Sequence, residues 1–359
     1  MSSLRVTIFY VGDGDCILVE FPDGKLGLVD SNTTSWLSQS PAWDVVKAKG
    51  GVLEFVCMTH PHADHYRGLA QFFTDAGITV REFWDTVTDV QTLIRYTNTG
   101  YAWEPYGALT RRLHDEHSKQ LVELMKSVAA KKKAGAVLRR RVQEFQQLPS
   151  YGGVEIWSLA PSARASEAYL KRLREFLAKK RRLDQNLANT ISAVLLLRYK
   201  GVSVILGGDA PTPAWRSIVV AAKERNRTSD LASPGVKVPH HGAKNASDPE
   251  LWIDLRSQAQ DYAVISAGSP HHPSAETIKH LKDAGRRIYT TGLGGPSYPA
   301  SQPKAAGLHP AAGVLLGLLS QPADDGNNPC CGTVLLEVNE AGAVTVQPER
   351  PPNNCSYCG

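Results

Sequence analysis

Long apolar runs are absent from this sequence of 359 residues, and the longest one, Gly313 to Leu319, is short. A membrane-spanning helix needs roughly 20 consecutive apolar residues. The first residues, Met1 to Val11, also lack a basic start followed by an apolar stretch and a small-residue cleavage site, which mark a secretory signal. The sequence therefore predicts a cytoplasmic protein without a membrane partner.

A strong excess of one charge is absent too. Forty Lys and Arg residues against 35 Asp and Glu give a formal charge of +5, which on its own says little about partners. Hydrophobic residues make up 42% of the chain, so a large buried core is expected and wholesale disorder is excluded. A chain of this length is expected to form one large α/β domain or two smaller ones.

Cysteine is scarce, and its six residues fall into two kinds. Cys16 and Cys57 lie in apolar runs and are expected to be buried, reduced core residues. The other four occur within the last 30 residues, and two of them have the Cys-x-x-Cys spacing that is typical of zinc knuckles. This tail is a candidate structural zinc site, the alternative being free thiols in a loose terminus. The four residues are Cys330, Cys331, Cys355 and Cys358.

The apolar pattern alternates between strands and helices, which predicts an α/β fold. Short β-rich runs occupy the first 85 residues, and strand–helix alternation returns after residue 185. Between them, Leu109 to Gln147 has few breakers and many charged side chains, which predicts a long helix or a helical pair. We therefore divide the chain into a main domain of residues 1–85 and 186–348, a mostly helical basic insertion of residues 86–185, and a cysteine-containing tail of residues 349–359.

Four metal-binding side chains, His60, His62, Asp64 and His65, fall within six residues. They follow the apolar run Leu53–Met58, so we expect them at the carboxyl end of a strand, where α/β sheets place their sites. Imidazole and carboxylate, without thiolate, suit zinc-like or manganese-like ions. One turn cannot direct all four side chains at one ion, so a division into His60/His62 and Asp64/His65 predicts two metal ions. The alternative is that these histidines cap or pack locally.

This His-x-His-x-Asp-His spacing after a strand resembles the signature of the metallo-β-lactamase superfamily. The resemblance implies a four-layer αββα sandwich, here with a helical insertion, and a two-metal hydrolase site. Asp30 closes an early strand and matches the acidic position that is implied to orient the metal-binding loop. Asp209 follows Gly207-Gly208 and is implied to bridge both metals. His240 matches the late histidine ligand of the second metal.

Within that superfamily the sequence resembles most the hydrolase domain of the competence proteins called ComEC. Asn189 stands where most of the wider superfamily has a third histidine ligand of the first metal, which favours manganese or magnesium as alternatives to zinc. The resemblance implies that Ser192, His241 and Lys244 support the site, and that His272 donates a proton or adds a ligand. It rests on four segments, which are Val11–Cys16, Asn189–Ser192, His240–Gly242 with Lys244 and Ser247, and His271-His272-Pro273.

Basic side chains are concentrated in the insertion, in a stretch that contains no acidic residue. Such side chains next to a hydrolytic site would hold the phosphates of a nucleic acid or a nucleotide, with salt-sensitive affinity. The alternative is a solvated helix face, which is what a charge run usually is. The residues are Lys131, Lys132, Lys133, Arg139, Arg140 and Arg141.

Together these features predict a metal-dependent phosphodiesterase or nuclease that uses a metal-activated water on DNA, RNA or a nucleotide. Asp64 would orient or deprotonate that water. Two alternatives stay open. One is hydrolysis of a small ester, lactone or thioester, because one fold hosts many chemistries. The other is an effector whose insertion binds a protein partner that activates hydrolysis.

Overall fold

The structure is a computed structural model that describes residues 2–33, 37, 39–98, 107–179, 185–257, 260–297, 330–351, 355 and 357–358. Within these residues two mixed β-sheets pack face to face, and helices cover their outer faces. The fold class predicted from the sequence, a four-layer αββα sandwich, is therefore confirmed. None of the helices in this part of the chain combines the length and the apolar character that crossing a bilayer requires.

The first sheet has eight strands, in the order β15-β14-β1-β2-β3-β4-β5-β6. Strands β3 to β6 are parallel to one another, and the remaining neighbours are antiparallel. The strands are β1 (Leu4–Ile8), β2 (Cys16–Glu20), β3 (Leu26–Ser31), β4 (Val52–Met58), β5 (Thr79–Asp85), β6 (Leu138–Arg141), β14 (Val334–Val338) and β15 (Val344–Pro348).

The second sheet has seven strands, in the order β13-β12-β11-β10-β9-β8-β7. Strands β10 to β13 are parallel, and β7 to β10 are antiparallel. The strands are β7 (Gln146–Tyr151), β8 (Val154–Ala160), β9 (Val194–Tyr199), β10 (Val202–Leu206), β11 (Gly235–Lys237), β12 (Tyr262–Ile265) and β13 (Arg287–Thr290).

Helices cover both sheets. Helices α1, α2, α3 and α5 and the start of α4 pack on the eight-stranded sheet, through a core that includes Phe72, Leu124 and Val128. Three others pack on the seven-stranded sheet through a core that includes Trp215 and Trp252. The helices are α1 (Pro41–Ala48), α2 (Ala63–Tyr66), α3 (Ala70–Thr74), α4 (Val90–Asn98), α5 (Gly107–Lys133), α6 (Ala163–Lys179), α7 (Thr212–Glu224), α8 (Pro249–Asp254) and α9 (Ala275–Asp283).

The core between the sheets follows from strand periodicity. Leu4, Val6 and Ile8 alternate with less buried residues along β1, so one face of the strand enters this core. In β4 the ring of Phe55 stacks on Trp84, with centroids 3.8 Å apart. That ring also fills the space beside Gly27, where a Cβ atom would lie 2.3 Å from Phe55 Cζ. The buried strand ends therefore have a rigid base on which a site can be built.

The long helix predicted over 109–147 is wrong beyond Lys133. The chain leaves α5 there and turns at Gly135, whose φ of +71° lies in the left-handed region that glycine accommodates. It then forms β6 and β7, one in each sheet. Strands β6 to β8 of the predicted insertion thus belong to the sandwich, and among the described residues its helical part consists of α4, α5 and α6.

Cross-strand ion pairs explain why the arginine run forms a strand. Arg139 binds both carboxylate oxygens of Asp85, and Arg140 binds Glu82 with Nε and Oε2 2.8 Å apart. Both acids belong to β5, the strand on which β6 pairs. These pairs and the parallel ladder stabilise β6, and helix propensity read along one segment does not include them.

Candidate metal centre

The candidate metal-binding side chains lie at the carboxyl ends of strands from both sheets. The His60–His65 segment follows β4, and Asp209 follows β10. A third segment, Pro239–Gly242, follows β11 and carries two adjacent histidines. Because β4 and β11 belong to different sheets, the cluster is assembled across the interface between the sheets.

Two groups of ligand atoms share Asp209. Asp209 Oδ2 lies 3.8 Å from His60 Nε2 and 3.4 Å from His65 Nε2, and its Oδ1 lies 3.7 Å from His241 Nε2. One carboxylate thus faces both groups, as expected of a bridging ligand. We call His60, His62 and Asp209 the two-histidine group, and Asp64, His65, Asp209 and His241 the four-ligand group; within each, the ligand atoms lie within 4.8 Å of one another.

Hydrogen bonds fix which ring nitrogen of each buried histidine carries the proton. Thr59 donates its hydroxyl hydrogen to Asp30, so its oxygen accepts from His60 Nδ1, 3.1 Å away. His65 Nδ1 donates to Asp30 Oδ2 at 2.7 Å, and His241 Nδ1 donates to the carbonyl oxygen of Ser266 at 3.1 Å. In the neutral form of each ring, Nε2 therefore offers its lone pair to the cluster.

These nitrogen atoms fit a metal site. Among the described residues, the buried Nε2 atoms of His60, His65 and His241 have no hydrogen-bond partner, and neither has Asp209 Oδ1. A buried polar atom without a partner costs roughly 1–3 kcal/mol, and here several converge. Imidazole nitrogen and carboxylate oxygen are ligands of zinc and manganese, and hydrogen bonds from Nδ1 are typical outer contacts of metal-binding histidines. The donor set therefore fits divalent cations.

The charges of the four-ligand group favour a cation. Burial alone would lower the pKa of His65, but Asp209, Asp64 and Asp30 raise it well above its usual value. Burial is likewise outweighed at His241, where Asp209 and Asp64 raise the pKa to about 9. The pocket thus stabilises positive charge on its own histidines. His60 differs, because burial and the neighbouring histidines lower its pKa well below the usual value.

Asp30 anchors the metal-binding loop, which is the role implied for it. Its Oδ1 accepts from the backbone nitrogen of Thr59 at 2.7 Å, and its Oδ2 accepts from Thr59 Oγ1 and from His65 Nδ1. The φ of Asp30 is 55°, in the left-handed region that is uncommon for residues other than glycine. The backbone turns there so that the carboxylate reaches the loop.

Two site residues were missed by sequence reasoning, Asp15 and Lys237. Lys237 is fully buried in β11, and its ammonium donates to Asp15 Oδ2. Asp15 in turn lies 3.9 Å from His65 Nδ1 and 3.9 Å from His241 Nδ1. The pair therefore lies behind the four-ligand group. The signal was present in the sequence, since a lysine inside the apolar run Val236–Val238 must be paired once it is buried.

The turn that carries Asp15 is packed against the metal-binding loop. The backbone nitrogen of Asp15 donates to the carbonyl oxygen of Asp64 at 3.1 Å. Gly14 has a φ of +136°, and a Cβ atom there would lie 2.6 Å from the same carbonyl oxygen. Only glycine allows this close approach, so the Gly-Asp-Gly-Asp turn is a part of the site.

The late histidine of the four-ligand group is His241. His240, the ligand that the resemblance implied, lies outside both groups, with its Nε2 3.8 Å from Asp209 Oδ2. His240 Nδ1 donates to Asn245 Oδ1 at 2.9 Å, and its Nε2 accepts from Asn189 Nδ2 at 3.2 Å. Both histidines and Gly242 have positive φ values of 48°, 51° and 78°. This tight turn buries His241 and leaves His240 at the edge, a choice between neighbours that a sequence motif does not reveal.

The other predicted supporting residues have different surroundings. Ser192 Oγ accepts from the backbone nitrogen of Asp209 at 2.9 Å and lies 3.5 Å from His60 Nδ1, so it positions both. Asn189 contacts His240, and its buried Oδ1 has no partner within the described chain. Lys244 is exposed and pairs with Glu276 at 2.7 Å instead of with a ligand. The ring of His272 lies beside the cluster, with its centroid 5.5 Å from that of His240.

The basic residues predicted to bind substrate separate into two sets. Arg139 and Arg140 are engaged by Asp85 and Glu82, as described above. Lys132, Lys133 and Arg141 are exposed, and Lys131 is half-buried. Lys132, Lys133 and Arg139 line a surface cleft of about 380 Å³ whose other walls include Met125 and Val128.

Comparisons with known proteins give weak likenesses only. No protein-family model and no curated protein matches the sequence. Among solved structures, the chain is similar to a variant of the CmlA β-hydroxylase at 14% identity and a TM-score of 0.41, over 79% of this chain and 52% of that one. It is similar to AbOPH, a hydrolase in the beta lactamase superfamily, at 14% identity and a TM-score of 0.30, over 54% and 55%.

A third similar structure is a diphosphatase from the PhnP family, at 12% identity and a TM-score of 0.33, over 80% of this chain and 85% of that one. The chain spans about half the length of the first two structures. Because all three TM-scores are low, the fold assignment rests on the sheet topology of this chain.

Proposed function

We propose that this protein is a metal-dependent phosphodiesterase that acts on nucleic acid or nucleotides. The observation that carries the proposal is the convergence of the Nε2 atoms of His60, His65 and His241 on Asp209, next to Asp64. This donor set suits two cations, zinc or manganese, with magnesium as an alternative. When bound, such cations activate water and offset charge on the attacking and leaving oxygens of a phosphodiester.

Asp64 is suited to orient the attacking water. Its side chain is 33% exposed, whereas that of His65 is fully buried. Burial would raise the pKa of Asp64, but His65 and His241 hold it well below the usual value, so the carboxylate is ionised at neutral pH. An ionised carboxylate of the four-ligand group that is accessible to water can accept a hydrogen bond from it and so orient it.

His272 is placed to donate a proton to the leaving oxygen. Its ring adjoins those of His240 and His241, with centroids 5.5 and 6.5 Å away. Its Nδ1 has no hydrogen-bond partner in the part of the chain that the structure describes. Burial and the neighbouring His241 and His240 lower its pKa, so the protonated ring would release its proton readily to a leaving oxygen.

Basic side chains near the strand ends support an anionic substrate. Arg139 donates to the carbonyl oxygen of Val87 at 2.9 Å, and Thr86 donates to the carbonyl oxygen of Thr59 at 3.2 Å. Arg139, which lines the cleft with Lys132 and Lys133, is thus linked through Thr86 and Val87 to the strand end that precedes His60. Phosphate groups bind lysine and arginine in such positions, which supports a polyanion or a nucleotide over a neutral ester.

The proposal is tested by assays of the full chain with Mn²⁺, Mg²⁺ and Zn²⁺ on single-stranded DNA, RNA and a nitrophenyl phosphodiester. A carboxylic ester and a lactone serve as comparison substrates. We expect cleavage of the phosphodiesters, and its loss in the folded double variant His62→Ala, Asp64→Ala. Hydrolysis of the ester or lactone alone would instead support the small-molecule reading, and activity that needs an added protein would support the partner-activated one.

Substrate binding is tested separately from chemistry. Changing Lys131, Lys132 and Lys133 to Glu should weaken nucleic-acid binding while hydrolysis of the small phosphodiester continues. Each lost phosphate contact lowers the salt slope of binding by about 0.7 to 0.9. The matched control carries the same charge change at the exposed residues Lys200, Lys223 and Lys282. Equal affinity in both variants would assign the cleft to a protein partner or to solvent.

A further inference from the structure

Four cysteine thiols that the candidate catalytic site does not use lie together in the C-terminal part of the chain. The Sγ atoms of Cys330, Cys331 and Cys358 lie within 4.8 Å of one another. Cys358 Sγ lies 2.9 Å from Cys355 Sγ and 3.6 Å from Cys330 Sγ. All four are free thiols. We call them the four-cysteine cluster.

The cluster lies where the two sheets meet. Cys330 and Cys331 are fully buried and lead into β14 of the eight-stranded sheet. Their backbone nitrogens donate to the carbonyl oxygens of Thr291 and Thr290, at 3.1 and 2.9 Å. Thr290 ends β13, the edge strand of the seven-stranded sheet, and its hydroxyl lies 3.4 Å from Cys358 Sγ. Two chain segments therefore bring their thiols together at a junction of both sheets.

The four sulfur atoms have the ligand identity of a zinc site, and the 2.9 Å between Cys355 and Cys358 would widen on binding. Zinc–sulfur bonds of about 2.3 Å place the sulfurs of a tetrahedral site about 3.8 Å apart, close to the separation of Cys330 and Cys358. Soft thiolates select zinc over the manganese or magnesium that oxygen ligands prefer.

We propose that Cys330, Cys331, Cys355 and Cys358 bind one structural zinc ion that fastens the C-terminal segment to both sheets. A site of four thiolates is closed and leaves no position for water, so it stabilises structure and performs no hydrolysis. Binding releases the thiol protons and involves no oxidation. The segment has one further anchor, since Tyr357 is buried and its hydroxyl donates to the carbonyl oxygen of Gly294 at 2.8 Å.

Cobalt substitution distinguishes this site from the candidate catalytic one. Only thiolate ligands give sulfur-to-cobalt charge-transfer absorption in the near ultraviolet, and both histidine-containing groups lack sulfur. We expect this absorption in the reduced full chain loaded with Co²⁺. The double variant Cys355→Ser, Cys358→Ser should lose it together with one equivalent of metal. The double variant His62→Ala, Asp64→Ala should keep the absorption. Cys57→Ala, a matched change of a buried cysteine outside the cluster, should keep it too.

A conservative variant keeps the test valid if the serine variant does not fold. Cys355→His retains a zinc ligand, so it should keep the equivalent of metal while the charge-transfer absorption weakens. Absence of the absorption from the unmutated chain would overturn the proposal, as would its persistence in a folded serine variant. Mapping of a Cys355–Cys358 disulfide in protein without thiolate-bound metal would also overturn it. None of these readouts depends on hydrolytic activity.

Discussion

The two-histidine group and the four-ligand group share one carboxylate but differ in charge. In the four-ligand group, acidic side chains outweigh burial and raise the pKa values of His65 and His241. In the two-histidine group, burial and other histidines lower the pKa of His60. Asp15 and Asp30 lie behind His65 of the four-ligand group, whereas Thr59 and Ser192 lie behind His60 of the two-histidine group.

This difference teaches that the two positions are unequal sites for a cation. A divalent ion in a buried position needs nearby negative charge to offset its desolvation. The four-ligand group supplies two carboxylates, Asp64 and Asp209, whereas the two-histidine group contributes only Asp209. We therefore expect the first equivalent of metal to enter the four-ligand group, and the second to bind more weakly. The following variants break or sharpen this contrast.

The largest effect is expected from Asp209→Asn, which should remove the contrast by weakening both positions together. Oδ2 of the shared carboxylate faces His60 and His65, and its Oδ1 faces His241. Loss of its charge should lower metal affinity by more than the roughly 10- to 100-fold that follows mutation of a residue hydrogen-bonded to a ligand. The rate of hydrolysis should fall as well. Metal analysis after dialysis measures the loss of metal. Two retained equivalents would reduce Asp209 to a turn residue.

A pair of single variants should separate the two groups. His241→Ala removes a ligand of the tighter position, so we expect loss of the first equivalent in a metal titration. His62→Ala removes a ligand of the weaker position, so the first equivalent should bind with nearly unchanged affinity and only the second should be lost. Calorimetric titration of both variants with Mn²⁺ and Zn²⁺ is the measurement. The opposite pattern would reverse the assignment of the tighter group.

Lys237→Met tests the charges behind the four-ligand group. Removal of one partner from a buried ion pair costs about 3–5 kcal/mol, because Asp15 is left without its ammonium. We expect that loss in the free energy of unfolding from chemical denaturation, with added metal restoring part of it by binding the folded state. The exposed Lys244→Met is the matched control. If both variants were equally stable, the Asp15–Lys237 pair would have no structural role.

The smallest effect is expected from His240→Ala. His240 bonds to Asn245 and Asn189 at the edge of the site, whereas His241 is buried within it. Metal affinity should therefore fall less than tenfold, below the roughly 10- to 100-fold range of well-placed outer contacts. A loss as large as that of His241→Ala would restore the assignment that the sequence motif implied.

The sequence predicted the residues that act locally and missed those that act through the fold. The motif at 60–65, the carboxylate of Asp30 and the strand-closing Asp209 each follow from a short segment with a recognisable chemical pattern. The choice between His240 and His241 depends on three successive left-handed residues, which no pattern of side chains encodes. Likewise, Lys237 forms an ion pair only because β11 brings it to Asp15, which is far away in the chain.

The arginine run shows the same limit for secondary structure. Charged residues without breakers read as a helix when one segment is considered alone. Arg139 and Arg140 instead form ion pairs with carboxylates on β5, which lie more than 50 residues earlier in the sequence. Reversal of their charge would therefore damage the edge of a sheet, and this is why Lys131 to Lys133 are the better test of substrate binding.

The order of the strands has a consequence for the protein as it leaves the ribosome. Strands β1 to β6 of one sheet are synthesised before any strand of the other, and only β14 and β15 return to the first sheet at the end. The His60–His65 loop and Asp30 therefore emerge early, while Asp209 and His241 follow much later. A nascent chain can expose the loop side chains before Asp209 is made, so the proposed metal binding would wait until the second sheet has docked. The last strands and the cysteines beside them then close a sandwich whose metal centre is already assembled.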